Sequence, residues 1–318
     1  MKMRSKLHRA VATTVATLSL AGGAVFAPAP ADAEVAYVNA NPCDFSVLIG
    51  VRGFTAPSGT GTSAGGHGWT SGGYGDVPQS VVSSYNRNWS WPTYEISLNY
   101  DASIVSPIQV WDGAQHLADE INWYANTCAY GPAILLTGHS LGAAVIINLL
   151  TNADEYLTEK SRVMVRSVQL YGSPMFYAPG RSWSSGTNYG QGIFAAMSSA
   201  ASNEAVTASI NATFGAGFIE DNCYAEDGYC QSGRALDNVA HNRYANNEAV
   251  MGGYSLGERL RVMTRGTPRD GATVEPSAYS LPAPGSGELP NVALITPRNA
   301  SEYADEIAQM THILREQR

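Results

Sequence analysis

The chain has 318 residues, of which 44% are hydrophobic and 14% charged, and its formal net charge is −8. Residues 1–33 hold four of the 19 basic residues and one of the 27 acidic residues, so the rest of the chain has a net charge of −11. This charge argues against binding to nucleic acid or to an anionic surface through bulk electrostatics, so we expect no nucleic-acid partner. The remaining length is enough for one sizeable hydrophobic core, which predicts one principal domain with peripheral additions.

The first 33 residues have the three parts of a secretory signal peptide. Four basic residues come first, an apolar stretch runs from about residue 10 to residue 26, and Ala31-Asp32-Ala33 has the A-x-A form of a cleavage site. A membrane anchor is the alternative, but the stretch is short and contains threonines and two glycines. We therefore predict a secreted protein with no stable membrane span once the signal peptide is removed.

All four cysteines lie in the part of the chain that would be exported. They are Cys43, Cys128, Cys223 and Cys230. An even number in an exported chain predicts two disulfides, for which three pairings are possible. The short separation of Cys223 from Cys230 favours a local bridge, which would leave Cys43 to join Cys128. The spacing does not match a zinc site, so we predict no metal.

The first half of the chain begins with two predicted strands and a helix. Residues 45–51 and 94–100 are apolar runs typical of buried strands. Ser106 and Pro107 then occupy the favoured cap and first positions of a helix, whose apolar residues recur at helical spacing up to Cys128.

The pattern continues with a strand at 133–137, a helix at 141–151 and a strand at 163–171. Strands that alternate with helices indicate a parallel sheet covered on both faces. The predicted fold class is therefore α/β, a three-layer sandwich with a central and mostly parallel sheet.

Three segments lie outside this alternation. Residues 57–75 are rich in Gly, Ser and Thr, and we interpret them as a rim loop rather than a phosphate-binding loop because no helix follows at once. Residues 179–222 have apolar spacings that allow amphipathic helices, which would form either a lid or additional packing. Residues 266–318 contain a Pro-rich linker and then a capping-box pattern at 299–302 that predicts a C-terminal helix.

Residues 138–142 read Gly-His-Ser-Leu-Gly between the strand at 133–137 and the helix that follows it. This is the layout of a nucleophile elbow, in which the glycines permit a sharp turn that exposes Ser140. The backbone N–H of Leu141 would face an oxyanion formed there. Ser63 also lies in a G-x-S-x-G pattern, but without a strand before it or a helix after it, so the context selects Ser140.

A serine nucleophile needs a histidine to take its proton and a carboxylate to orient that histidine. In elbow folds the chain order is serine, acid, histidine, and only His241 and His312 follow Ser140. His312 lies off the apolar face of the predicted terminal helix. His241, in a predicted loop, is therefore the better base.

Four aspartates lie between the serine and this histidine. They are Asp154, Asp221, Asp227 and Asp237. Asp227 lies between Cys223 and Cys230, where a disulfide would hold the loop of a catalytic acid. A solvated surface aspartate is the alternative interpretation of the same residue, and spacing alone leaves the two open.

Together these residues resemble the cutinases, a family of the α/β-hydrolase superfamily. The resemblance covers about residues 43–265. The motifs in register are Cys43-Asp44, Val51-Arg52-Gly53-Phe54-Thr55, a helix that ends at Cys128, Gly138-His139-Ser140-Leu141-Gly142, Tyr171-Gly172-Ser173-Pro174, and Cys223-x3-Asp227-x2-Cys230 followed by His241.

The resemblance implies a catalytic triad of Ser140, Asp227 and His241. It implies an oxyanion hole formed by the backbone N–H groups of Phe54 and Leu141. It also implies the disulfide pairs Cys43 with Cys128 and Cys223 with Cys230. A cutinase-like domain would then occupy residues 34–265.

The chain departs from the usual cutinase pattern in three ways. Phe54 stands where many relatives have a serine or threonine, so a side-chain donor to the oxyanion is missing. The elbow has His-Ser-Leu where Tyr-Ser-Gln is commoner. The segments at 179–222 and after 266 exceed a minimal cutinase, which favours esters in general over cutin itself as the substrate.

These observations predict a secreted carboxylic-ester hydrolase that forms an acyl-enzyme and needs no metal or organic cofactor. Its substrates would be cutin-like polyesters, acylglycerols or short acyl esters, and we expect a monomer. One alternative is an esterase or acyltransferase for lipids of a mycolate-type envelope. Another is a non-catalytic surface-binding module on a hydrolase scaffold.

Overall fold

The computed structural model describes residues 41–266 except Ser90, residues 181–189 and Asn247. The predicted signal peptide, the Pro-rich linker and the C-terminal helix with His312 lie outside the described residues. Within the described part, no helix is both long and apolar enough to cross a membrane.

In the part of the chain that the structure describes, eight strands form a central sheet and a small two-stranded sheet. They are β1 Ser46–Val51, β2 Gly59–Thr60, β3 Gly68–Trp69, β4 Ser71–Gly72, β5 Thr93–Leu98, β6 Ala133–His139, β7 Val165–Tyr171 and β8 Ile219–Asn222. The central sheet has the order β3-β5-β1-β6-β7-β8, while β2 pairs with β4. β3 is antiparallel to β5, and the other neighbours in the central sheet are parallel.

The helices that surround the sheet are numbered in chain order. They are α1 Asp76–Asn88, α2 Pro107–Thr127, α3 Leu141–Thr151, α4 Ala153–Tyr156, α5 Glu159–Met164, α6 Ile193–Met197, α7 Ala200–Phe214, α8 Asn238–Asn242 and α9 Glu248–Gly266. Two short 3-10 turns lie at Ala178–Gly180 and Arg243–Asn246.

The hydrophobic core has two halves, one on each face of the sheet. In β6, Ile134 and Leu136 pack with residues of α2 and α3, whereas Leu135, which points to the opposite face, packs with α1 and α9. All three side chains are fully buried. Side chains that alternate between two buried faces are those of a strand covered on both sides, so the predicted three-layer α/β sandwich is confirmed.

The register of the sheet brings three strand ends to one edge. His139 at the end of β6 pairs with Tyr171 at the end of β7, and Tyr171 pairs with Asn222 at the end of β8. The residues that follow these three strands therefore begin side by side, at the edge where open parallel sheets build their sites.

The predicted elements of the first half are confirmed with small changes of boundary, including the Ser106 cap and Pro107 start of α2. Neither α1 nor β8, which lies within the segment 179–222, was among the predicted elements. The strand β8 is buried throughout, but its sequence Ile-Glu-Asp-Asn is mostly polar and gives no strand pattern. The helix α1 is amphipathic, and its buried residues Val77, Val81 and Tyr85 recur at helical spacing, so its pattern was present in the sequence.

The described part of segment 179–222 packs on the domain rather than standing apart from it. Phe194 and Ile210 belong to the core half that contains α3. The hydroxyl of Ser209 donates to the carbonyl oxygen of Thr151 at 2.9 Å. The described residues of this segment thus provide additional packing. A lid formed by the segment stays a prediction.

Two disulfides join the pairs that the resemblance implies. Cys43 is bonded to Cys128 across 85 residues, and Cys223 to Cys230 across seven. The first attaches the start of β1 to the end of α2, and the second closes the loop after β8.

Candidate active site

Ser140 lies between β6 and α3 in a strained backbone conformation. Its φ of 53° and ψ of −121° place a non-glycine residue at positive φ, which among the described non-glycine residues occurs elsewhere only at Thr55. The Ser140 N–H donates to the carbonyl oxygen of Tyr171 at 2.9 Å, and its carbonyl accepts from the N–H of Ala143 at 2.9 Å. Such strain persists only where the surroundings enforce it, and here they hold a half-buried hydroxyl at the sheet edge.

The two glycines of the elbow are required by close backbone packing. A Cβ at Gly138 would lie 2.7 Å from Cδ1 of Ile146, and one at Gly142 would lie 2.2 Å from the carbonyl oxygen of Val51. The second contact brings the start of α3 against the end of β1. The elbow and the loop after β1 are therefore neighbours.

The loop after β1 runs beside the serine. A Cβ at Gly53 would lie 3.3 Å from Cβ of Ser140, so this glycine lets the loop approach the elbow. The N–H of Thr55 donates to the carbonyl oxygen of Ala102 at 2.9 Å and fixes the far end of the loop. Phe54, between Gly53 and Thr55, is 40% exposed.

Arg52 fixes the position of the same loop through hydrogen bonds from its buried side chain. Its buried guanidinium donates to the carbonyl oxygens of Ala56 at 3.1 Å, Leu98 at 3.1 Å and Tyr100 at 2.5 Å. It also lies 4.6 Å from the ring centroid of Trp69. Burial lowers the pKa of Arg52, and the Tyr100 and Asp101 side chains oppose that shift. The sequence showed Arg52 only as part of a motif and gave no sign of this role.

Leu141 is the first residue of α3. The first N–H groups of a helix have no intrahelical acceptor, and the helix dipole favours negative charge at that end. The predicted donors, Leu141 and Phe54, therefore belong to two backbone segments that flank Ser140.

His241 and Asp227 form a buried pair. Nδ1 of His241 lies 2.9 Å from Oδ2 and 3.0 Å from Oδ1 of Asp227. Asp227 is fully buried, and its carboxylate also accepts from the backbone N–H of Tyr229 at 2.9 Å and the hydroxyl of Tyr244 at 2.7 Å. Burial by itself raises the pKa of Asp227, but His241, Tyr244 and Tyr229 together hold this pKa below its usual range. The carboxylate is therefore ionised at neutral pH.

The other ring nitrogen of His241 points away from the acid. Within the described residues, Nε2 is buried and has no hydrogen-bond partner. A Cβ at Gly172 would lie 2.8 Å from Cε1 of His241, and the residue before Gly172 is Tyr171, which accepts the N–H of Ser140. The imidazole thus lies against the strand end that holds the serine, with Nε2 free to take a proton.

Two rings enclose the imidazole of His241. The ring centroid of Tyr229 lies 4.1 Å away and that of His139 lies 4.6 Å away. His139 is nine-tenths buried or more, and its Nε2 donates to the backbone carbonyl oxygen of His241 at 2.8 Å. In the sequence, His139 is only the variable residue of the elbow pattern, and no motif indicates Tyr229.

Other candidate residues have different roles. Ser63 is buried, and its hydroxyl donates to Oε2 of Glu120 at 2.7 Å, so it holds the rim loop. Asp237 caps α8 by accepting the N–H of Val239, and Asp154 pairs with Arg162 at the surface. The remaining aspartate, residue 221, lies in β8.

One positional expectation was wrong. His241 was predicted in a loop but lies in α8, a helix of five residues that begins at Asn238. The segment is too short for apolar periodicity to reveal a helix. Among the described residues, no group of three or more His, Cys, Asp or Glu side chains is arranged to hold a metal ion.

In this structure one strand of a mostly parallel sheet leads into a strained serine, and a buried aspartate and a histidine follow a later strand of the same sheet. This chain order of serine, aspartate and histidine is that of the α/β hydrolases. The sequence model of one family, Cutinase, matches residues 62–252, which is more than half of the chain. The chain therefore belongs to the cutinase family. Members of this family are serine carboxylic-ester hydrolases, and so is this protein.

Solved structures agree with this fold. An acetyl xylan esterase is 22% identical with a TM-score of 0.51, and the match covers 69% of this chain and 99% of that one. A cutinase-like protein from Cryptococcus sp. is 20% identical with a TM-score of 0.52, and the match covers 70% of this chain and 98% of that one. At these identities the likeness establishes the fold. No curated protein matched in the sequence search.

Proposed function

We propose that the protein is a secreted carboxylic-ester hydrolase that works through an acyl-enzyme on Ser140. The observation that carries the proposal is the His241 imidazole, whose Nδ1 is held by Asp227 while its buried Nε2 has no partner among the described residues. A base oriented in this way can take a proton from a hydroxyl and return it to a leaving group.

The first half of the proposed reaction forms the acyl-enzyme. His241 Nε2 accepts the proton of the Ser140 hydroxyl as Oγ attacks the ester carbonyl carbon. The oxyanion that develops is stabilised by the N–H groups of Leu141 and Phe54. His241 then gives its proton to the alkoxide, the alcohol leaves, and the acyl group stays on Oγ.

The second half releases the acid. His241 takes a proton from a water molecule, which attacks the acyl carbon, and then returns the proton to Oγ of Ser140. In both halves an imidazolium forms beside Asp227, whose ionised carboxylate stabilises it. Asp227 itself stays ionised, in agreement with its lowered pKa.

An apolar rim favours substrates with apolar acyl or polyester surfaces. Phe54 is 40% exposed beside the serine, and Ile104 is 53% exposed in the segment that is hydrogen-bonded to the same loop. Val239 is 79% exposed two residues before the base. Large apolar side chains left in water around a site indicate contact with an apolar partner. We therefore propose lipid or polyester esters as the substrate class.

Secretion is part of the proposal. The signal-peptide pattern of residues 1–33 and two disulfides both fit an oxidising, extracellular location. Members of the cutinase family are typically secreted.

The test is a chain-length series of p-nitrophenyl esters from acetate to palmitate with a polyester film assayed alongside, for the wild type and Ser140→Ala. We expect turnover in the wild type and its loss in the variant. Wild-type turnover in Ser140→Ala would exclude the acyl-enzyme, and absence of turnover on every ester would favour the non-catalytic alternative. Acyl transfer to an added alcohol in preference to water would identify an acyltransferase.

A further inference from the structure

Tyr244 is a buried residue that the triad does not require. It lies on the 3-10 turn Arg243–Asn246, three residues after His241, and is fully buried. Its hydroxyl lies 2.7 Å from Oδ2 of Asp227. An ionised carboxylate can only accept, so the tyrosine is the donor.

A second contact fixes the direction of this hydroxyl proton. The backbone N–H of Tyr224 donates to the hydroxyl oxygen of Tyr244 at 2.9 Å. Because that N–H occupies an acceptor site of the oxygen, the single hydroxyl proton remains directed at Asp227. The ring is held as well, since it stacks on the ring of Tyr224 with centroids 4.4 Å apart and planes 13° from parallel.

Both oxygens of the Asp227 carboxylate therefore accept hydrogen bonds. Tyr244 donates to Oδ2, and the N–H of Tyr229 donates to Oδ1. Nδ1 of His241 lies within 3.0 Å of both oxygens. A fully buried carboxylate with fewer donors would be driven towards its neutral form and could rotate about its side-chain bonds.

We propose that Tyr244 is a positioning residue of the ester hydrolase, which keeps the Asp227 carboxylate ionised and aligned with Nδ1 of His241. This inference rests on the proposed function of the triad. Tyr244 touches neither Ser140 nor the substrate in the proposed reaction, so it acts through Asp227 alone. The 3-10 turn that follows the helix of the proposed base thus supplies a hydrogen bond to the proposed acid.

The chain offers a matched pair of variants to test this role. Tyr244→Phe removes the hydroxyl that contacts Asp227 and keeps the ring. Tyr224→Phe removes the hydroxyl of the stacked partner, which donates to Glu248 instead, and leaves the Tyr224 backbone N–H in place. Both changes delete one buried or half-buried hydroxyl from the same aromatic stack.

We expect Tyr244→Phe to lower kcat about 10-fold with KM changed less than about twofold. We also expect the acid limb of its kcat/KM profile to move to higher pH by roughly one unit. The Asp227 carboxylate loses the hydrogen bond from the Tyr244 hydroxyl in this variant, so the His241–Asp227 pair takes up a proton more readily. Tyr224→Phe should keep the wild-type pH profile and kcat. A purely structural role would lower the melting temperature without moving the acid limb, and that result would overturn the inference.

A second comparison separates Tyr244 from the rest of the site. In an Asp227→Asn background, adding Tyr244→Phe should cause little further loss of kcat, because the group through which Tyr244 acts is already altered. A further loss of about 10-fold would show that Tyr244 acts elsewhere and would also overturn the inference. Wild-type turnover in Ser140→Ala would instead refute the proposed function. An inactive Ser140→Ala variant with a wild-type profile for Tyr244→Phe would refute the Tyr244 role alone.

Discussion

His139, which precedes the serine of the elbow, is hydrogen-bonded to the backbone of His241. Nε2 of His139 lies 2.8 Å from the carbonyl oxygen of His241, and the two ring centroids are 4.6 Å apart. Burial, and then the neighbouring His241, lower the pKa of His139 to about 3. His139 is therefore neutral at neutral pH, and the carbonyl acceptor selects the tautomer with its proton on Nε2. The bond joins the backbone of His241, the proposed base, to the residue that precedes Ser140.

His139→Phe should lower kcat about 10-fold with a small effect on KM, because the ring stays but the hydrogen bond to the His241 backbone is lost. His139→Gln keeps an N–H donor and should recover part of the activity. Steady-state kinetics at neutral pH provides the measurement. Equal kcat in the Phe and Gln variants would contradict a role for the hydrogen bond.

Ser140→Ala should lower kcat by about 10⁴- to 10⁶-fold and leave the fold intact. A phosphonate ester should label Ser140 in the wild type, as located by mass spectrometry. Ser63→Ala is the control from the second G-x-S-x-G pattern, and it should keep activity but lose about 1–3 kcal/mol of stability because Glu120 loses a donor. Labelling of Ser63 would refute the assignment of the nucleophile.

Asp227→Asn should lower kcat by about 10⁴-fold, because an amide cannot stabilise the imidazolium of His241 and favours the wrong tautomer. Asp237→Asn is the matched control four residues before His241, and asparagine is as good an N-cap as aspartate. It should therefore keep both activity and melting temperature. Wild-type turnover in Asp227→Asn would remove Asp227 from the triad, and the other aspartates would then be tested.

His241→Ala should be nearly as inactive as Ser140→Ala, because the triad works as a unit. His312→Ala should have little effect on kcat, as expected from its predicted position off the apolar face of a terminal helix. Assays on one p-nitrophenyl ester compare the two variants directly. A His241→Ala enzyme with near-wild-type turnover would refute the base assignment.

The two disulfides should differ in what their removal changes. Loss of Cys43–Cys128 should lower the free energy of unfolding by about 4–5 kcal/mol, because the bond closes a loop of 85 residues. Loss of Cys223–Cys230 should mainly lower kcat, since the loop that it closes carries Asp227. Paired Cys→Ser variants, assayed for melting temperature and turnover, test the difference. The expected difference would be contradicted if both double variants lost the same free energy of unfolding and the Cys223–Cys230 variant kept the wild-type kcat.

Glu95 should make the stability of the domain depend on pH. Burial raises the pKa of its carboxyl from 4.5 to about 7, against an opposing hydrogen bond from Asn86. Between these values the unfolded chain is ionised and the folded chain is still protonated, so the free energy of unfolding falls as pH rises through this window. Glu95→Gln should therefore be more stable than the wild type by about 1–2 kcal/mol at pH 8 and equal to it near pH 4. Urea unfolding at both pH values tests this, and a pH-independent difference would contradict it.

Local patterns in the sequence predicted the elements that carry the proposed nucleophile. A run of apolar residues, a G-x-S-x-G turn and an apolar helix are contiguous, so β6, Ser140 and α3 could be found without knowledge of the rest of the fold. The same holds for α2, whose cap and first proline are adjacent in the chain. The mostly polar sequence of β8 carries no such local pattern. The helix α1 was not predicted although Val77, Val81 and Tyr85 recur at helical spacing.

Contacts between distant segments decided the rest of the site. Spacing alone left four aspartates open as the acid, and the resemblance to the cutinases favoured Asp227. The hydrogen bonds of Asp227 to His241 and Tyr244, which support that proposal, are visible only in the folded chain. Arg52 reaches Tyr100 across 48 residues, and His139 reaches His241 across 102. Periodicity and spacing report which face of its own helix or strand a residue occupies. They carry no information on which distant side chain meets it there, because that depends on how the strands are ordered in the sheet.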